Sequence, residues 1–276
     1  MKRERGLTLV ELLVAMAISG IVVAAVYTAF VTQQKSYTVQ NQVAETQQNA
    51  RVGLDLIARE VRMAGYGQPA WSMNADTDGD GADEAVTDPV TVVDGGGSPD
   101  RITVIGCFDT APGTLSVAAS MGNTALTLQN SDEASKFNTT TKNSIFIGGF
   151  ENAKVTNISV RTLTIDIDPT TSGNQGLARS YSTGAEINLV RAITYYVEDD
   201  TLRRDENTGA GGQPLAENIE DLQITYANKL ANISVLARSR EIDPTYRDAT
   251  HGDHYRRRTL ISNVNVRSLL YQVEEE

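Results

Sequence analysis

The feature that most constrains this chain is the apolar run from Leu12 to Val31, whose only polar members are Ser19 and Thr28. As a helix rising ~1.5 Å per residue it is long enough to cross ~30 Å of hydrocarbon. Lys2, Arg3 and Arg5 precede it. Positive charge on that side holds the N-terminus in the cytoplasm and sends the remainder outward. Two residues of the head are left unexplained by a plain anchor. Gly6 closes the charged leader, and Glu11 stands at the head of the span, where a carboxylate is costly and by default marks a function. A secretory signal peptide fits no better. Its apolar region is about 7–15 residues long and ends in a small-residue cleavage site. This run is longer, and no breaker or such site follows it.

With 276 residues the chain can bury a sizeable core, as one large domain or two small ones. Its formal net charge of −11 argues against a nucleic-acid surface. Cys107 is the single cysteine, so no intrachain disulfide can form. In the apolar context "RITVIGCF" it reads as a buried small hydrophobe. An extracytoplasmic domain is then held by its core, by metal or by assembly.

The sequence "RGLTLVE" ahead of the apolar run resembles the class III signal of type IV prepilins. In that family a short basic leader is cut after the glycine on the cytoplasmic side, and the new first residue is N-methylated. The resemblance implies a cut between Gly6 and Leu7, methylation of Leu7, and Glu11 as the fifth residue of the mature chain. Leu7 departs from the family's more frequent Phe. Chemistry supplies reasons for the pattern. Gly6, without a side chain, suits a peptidase site close to the scissile backbone. Cutting creates an α-amine on Leu7, and in a filament the amine of one subunit can pair with Glu11 of another. A buried charge left unpaired is strongly disfavoured, so such pairing would set axial register. The bland alternative for Glu11 is a carboxylate snorkelling to the headgroups.

Helical patterning continues past the span. Val43, Gln47, Ala50, Leu54, Ile57, Val61 and Ala64 recur at spacings of four and three and define one helix face. Arg51, Asp55 and Arg59 fall on another face. "GYGQP" supplies glycine for a C-cap and a proline beyond it. One helix from Leu7 to Ala64 follows. Residues 74–100 are rich in Asp, Gly and Pro and read as a loop. Short β-type runs come next, from Ile102–Phe108 through Glu186–Val197 to Thr259–Leu270. A hairpin is expected with its turn at Glu198–Thr201, and "PLAENIEDLQITY" reads as a helical turn leading into a strand.

The block from Ser19 to Gly67, together with "ITYYVEDDTLRRDENTG" and "PLAENIEDLQITY", is similar to the PilW family of minor pilins, related to the J-type pseudopilins of type II secretion. The resemblance implies an α+β, pilin-like fold. It divides the chain into a prepilin leader (1–6), a long helix (7–66, membrane-spanning to about residue 31) and a β-rich periplasmic or extracellular domain (67–276). It also implies a non-enzymatic subunit that helps initiate pilus assembly at the tip. The implied partners are prepilin peptidase, the inner membrane and assembly platform, the major pilin and other minor pilins. The J-type pseudopilin and a tip-displayed adhesin are the alternative roles. Many major pilins carry a proline where this chain has Thr28, so no kink is expected there.

"NADTDGDGADEAVTD" is the one ligand-like cluster in the globular part. Asp76, Asp78 and Asp80 alternate, Gly81 follows, and Ala82 and Glu84 could add a carbonyl and a carboxylate. That is the opening of an EF-hand-type calcium loop, but Thr87 stands where the bidentate glutamate belongs. A calcium site and a solvated acidic loop both remain open. "HGDHY" reads as a surface loop and Arg256–Arg258 as a solvated basic run. No G-x-S-x-G, CxxC or HExxH constellation is present.

Overall fold

The computed structural model describes residues 9–266. In chain order the elements are α1 (Leu9–Met63), β1 (Met73–Ala75), β2 (Glu84–Val86), β3 (Val90–Val93), β4 (Arg101–Gly106), β5 (Gly113–Thr114), β6 (Ala125–Thr127), α2 (Ser131–Ala134) and β7 (Ser144–Ile147). They continue with β8 (Glu151–Ser159), β9 (Thr162–Asp166), β10 (Glu186–Leu189), β11 (Arg191–Glu198), β12 (Thr201–Asp205), β13 (Gln213–Glu217), β14 (Ile219–Ala227), β15 (Leu230–Arg238) and β16 (Arg257–Asn265). A long N-terminal helix followed by a β-rich region is the expected α+β arrangement. The chain forms two compact units. One takes α1 up to Thr46 together with Ser239–Arg256; the other takes Gln47–Arg238 and the described residues from Arg257 to Val266.

In the larger unit the end of α1 buries the face foreseen from its periodicity. Ala50, Leu54, Ile57, Val61 and Ala64 are all buried, while Arg51, Asp55 and Arg59 are exposed. They pack with Ile102, Val104, Ile193, Tyr195 and Leu202 of a five-stranded sheet ordered β13-β12-β11-β4-β3. The same core takes Leu222, Ile224, Ile233, Val235 and Val264 from a three-stranded sheet ordered β14-β15-β16. The helix approaches β12 closely at Gly53, where an added Cβ would lie 2.5 Å from Leu202 Cδ2. Gly65, at φ +86°, then turns the chain out of the helix, as the glycine-proline signal required.

A second core fills a six-stranded antiparallel sheet ordered β5-β10-β7-β8-β9-β6. Its end strands meet. Leu115, beside β5, bridges Leu128, beside β6, and Ser116 N donates to Thr127 O at 2.8 Å. The sheet thus closes on itself as a small barrel, which removes its open edges. Leu126, Ile145, Ile147, Val155, Leu163, Ile165 and Ile187 fill its interior.

The expected hairpin at Glu198–Thr201 joins β11 to β12 through Asp199 and Asp200, at φ +49° and +54°. Two consecutive left-handed residues are what a tight hairpin matching strand twist needs. Two expectations change. Residues 74–100 are not simply loop: they hold β1 and β2, paired antiparallel, and β3. "PLAENIEDLQITY" forms strands β13 and β14 with a break at Asn218 (φ +59°), not a helical turn. Leu222, Ile224 and Tyr226 alternate in β14, and sheet pairing outweighs the weak helical signal.

In the smaller unit the segment 239–256 is tied by its own polar groups. Arg256 donates to Asp243 Oδ2 from Nε at 3.0 Å and from Nη2 at 2.7 Å, and stacks over the Tyr246 ring at 4.4 Å. Hydrogen bonds from the Thr245 hydroxyl and then from Arg256 hold the Asp243 carboxyl down at about 2. His251 and His254 are exposed, as a surface loop requires. The basic run is a solvated face only in part, since Arg258 is exposed while its two neighbours are paired. Arg257 Nη2 donates to Glu220 Oε1 at 2.9 Å, while Arg256 is held by Asp243.

Candidate functional site

Two regions carry the residues singled out from the sequence. The first is the head of α1. Gly6 and Leu7 lie outside the described residues. Glu11 sits in the first turn of the helix, the end at which the helix dipole favours a carboxylate. From Leu9 to Phe30 every residue is exposed, including Leu9 at 75 % and Ile21 at 71 %. Such a continuous apolar surface is not left to water, so it requires lipid or other chains around it. Thr28 within it is satisfied locally: its Oγ1 donates to Ala24 O at 2.9 Å. The helix runs on through Thr28 without interruption, as the absence of proline implied.

The second region is the acidic connection between β1 and β2. Asp76, Asp78 and Glu84 each place one carboxylate oxygen within 4.8 Å of the other two. The hairpin brings them together: Ala75 pairs with Glu84, and Ala75 and Val86 are buried in a small core with Ile105, Cys107 and Phe146. Asp80 does not join this trio of carboxylates. Asp80 Oδ1 instead accepts from Ala82 N at 2.7 Å, closing a local turn. The flanks are strands, so the surroundings are not those of an EF-hand. The loop also satisfies itself in part. Asp76 Oδ1 accepts from Gly79 N at 2.6 Å, Asp78 Oδ1 from Asp80 N at 3.0 Å, and Glu84 Oε2 from Thr77 N and Oγ1, both at 2.7 Å. Hydrogen bonds from the Thr77 backbone and then its hydroxyl hold the Glu84 carboxyl below its usual range. Arg101 Nη2 stands 3.9 Å from Asp76 Oδ1, a cation of the protein's own. Oxygen-only donors at this spacing suit a hard cation such as calcium, which would share them with these hydrogen bonds.

Sequence reasoning missed a buried polar network at the end of α1. Glu60, 4 % exposed, accepts from Tyr195 Oη at 2.5 Å and from Arg204 Nη2 at 2.9 Å. Arg204 Nη1 and Arg191 Nη1 converge on Glu206 Oε1 at 2.8 and 2.7 Å, and Arg191 also pairs with Asp109. Burial, then the Glu60 charge, push the Tyr195 hydroxyl up. Against a burial that opposes ionisation, the Arg204 hydrogen bond and the Arg191 charge keep the Glu206 carboxyl low. The available signal was position: Gly53 and Glu60 lie seven apart along one edge of the apolar stripe. No nucleophile with an adjacent base accompanies this network among the described residues, and Cys107 is buried.

Residues 1–27 match the family described as "Prokaryotic N-terminal methylation motif". This is a pilin-like N-terminus. The match spans the Gly6–Leu7 junction, Glu11 and most of the apolar run, and it implies processing by prepilin peptidase in a pilus-assembly context. The motif and the apolar helix are together consistent with membrane anchoring before assembly. No curated protein matches the chain. Among solved structures, Phage phi92 endosialidase is similar over 58 % of this chain at 9 % identity, with a TM-score of 0.19. The chain spans 33 % of that protein's length, and so slight a likeness carries no argument.

Proposed function

We propose that this chain is a PilW-like minor pilin, a structural, non-enzymatic subunit that helps initiate type IV pilus assembly and stays at the pilus tip. The observation that carries the reading is the methylation motif joined to Glu11 in the first turn of a helix whose whole circumference is apolar and exposed as far as Phe30. A helix of that kind is stable only among lipids or among like helices. An acid at its head gives like helices a register to lock. In this reading the leader is removed between Gly6 and Leu7, Leu7 is methylated, and the partners are the major pilin and other minor pilins. Deletion of the chain tests it. Loss of surface pili with protein secretion intact is the expected result. Loss of secretion with normal pili would assign the chain to a secretion pseudopilus instead. Co-purification of other pilins with the intact membrane protein would identify the complex.

A further inference from the structure

The barrel carries a cleft on its surface. About 520 Å³ in volume, it lies between the turn after β7 and the segment leading into β10, lined by Phe150, Arg179, Ser180, Tyr181, Ser182 and Glu186. That volume is in the range of small-molecule sites, roughly 300–1,000 Å³. Two features set it apart from an idle surface dent. Phe150 is 66 % exposed at the rim, although its neighbours in β7 are buried. The guanidinium of Arg179 lies 4.8 Å from the centroid of that ring, so the aromatic group is held in place. Arg179 takes part in none of the ion pairs among the described residues, which leaves its donors available to a ligand.

The geometry points to a neutral saccharide as the occupant of this cleft. A sugar ring offers a C–H face that packs on an aromatic ring and hydroxyls that both donate and accept. The lining matches both properties: Phe150 gives the apolar platform, Arg179 donates, Glu186 accepts, and Ser180 and Ser182 do either. Charge selects among ligands. An acidic ligand drawn to Arg179 would meet the Glu186 carboxylate, and a cationic ligand would meet Arg179. A polyhydroxylated molecule without charge meets neither penalty. Shape also has a built cause. Gly148, at φ +56°, would place a Cβ 2.7 Å from the Tyr181 ring, so its missing side chain is what lets Tyr181 form the wall.

Saturation-transfer NMR on the full chain tests this, in a zwitterionic detergent that has no sugar headgroup. The probes are maltotriose, triacetylchitotriose and, as the charged control, a galacturonate trimer. Saturation transfer to the ring C–H protons of a neutral probe is expected, lost in Phe150→Ala and reduced in Arg179→Ala. Both residues are exposed, so circular dichroism of the variants should match the parent. Absence of transfer to both neutral probes, transfer to the galacturonate alone, or transfer unchanged in either variant would overturn the assignment.

Discussion

Arg204 holds Glu60 through two hydrogen bonds, from Nε at 3.2 Å and from Nη2 at 2.9 Å, and so ties the end of the long helix to strand β12. The Glu60 side chain is only 5 % exposed. A pair this deep is not strong support for net stability, since desolvating both ions offsets much of their attraction. Its consequence is asymmetry: removing one partner strands the other.

Glu60→Ala should therefore destabilise the larger unit by about 3–5 kcal/mol, because Arg204 and the Tyr195 hydroxyl lose a buried acceptor. For a unit of this size that lowers Tm on the order of 10 °C. Replacing the group together, as Glu60→Leu, Tyr195→Phe and Arg204→Leu, should recover most of the loss. Thermal melts of the three forms decide it. A Glu60→Ala protein that melts with the parent would make the network dispensable.

Burial pushes the Cys107 thiol up to about 12, with the Arg191 charge pulling weakly the other way. The raised value means that the protonated thiol is favoured in the folded state. Its contribution to stability is present below the ordinary thiol range and is lost as pH climbs from about 9 towards 12. Two outcomes follow. At pH 8 iodoacetamide should modify the native chain on the order of 10³-fold more slowly than the denatured chain. Between pH 9 and 11 stability should fall more steeply in the parent than in Cys107→Val. Rapid labelling of the native thiol would place Cys107 outside the core.

Much of the fold was legible because its signals are local. The face from Ala50 to Ala64 follows from helical spacing, the exit at Gly65 from backbone freedom, and the Asp199–Asp200 turn from two flanking alternating runs. What was not legible depends on partners distant in sequence. Closure of the barrel rests on Leu115 meeting Leu128, two residues that no periodicity relates. Nothing local to Glu60 announces its burial, because the Tyr195 hydroxyl that donates to it comes from far along the chain. The acidic cluster shows the same division. Alternating aspartates left a cation loop and a solvated turn both open, and only the pairing of β1 with β2 gathers Asp76, Asp78 and Glu84 while Asp80 turns to Ala82.

Assembly should depend on Glu11 and not on it alone. Mass spectrometry of the membrane form is expected to find a mature chain beginning at methylated Leu7. Glu11→Ala should leave that product and its membrane insertion unchanged while piliation falls. Normal pilus number in Glu11→Ala would reduce the residue to a carboxylate at the headgroups. An intact Met1 in the mature protein would remove the prepilin reading altogether.

The trio on the β1–β2 hairpin leads to a final expectation, in which calcium binds across Asp76, Asp78 and Glu84. The three oxygens are gathered, but each carboxylate also accepts a hydrogen bond within the loop, and Arg101 already supplies a positive charge nearby. Calcium must therefore compete with an arrangement that holds together without it, which argues for a weak site. Extracellular modules bind at ~10⁻⁴–10⁻³ M. At ~10 mM calcium such a site is in roughly 10- to 100-fold excess and stabilises the fold by about 1.4–2.7 kcal/mol. The full chain should then melt a few degrees higher in calcium than in EDTA. The difference should vanish in Asp76→Asn with Asp78→Asn, and persist in Asp80→Asn, whose side chain lies outside the trio. Identical melting in calcium and EDTA, with no heat on calorimetric titration, would leave the hairpin tip as an acidic turn satisfied by its own backbone and Arg101.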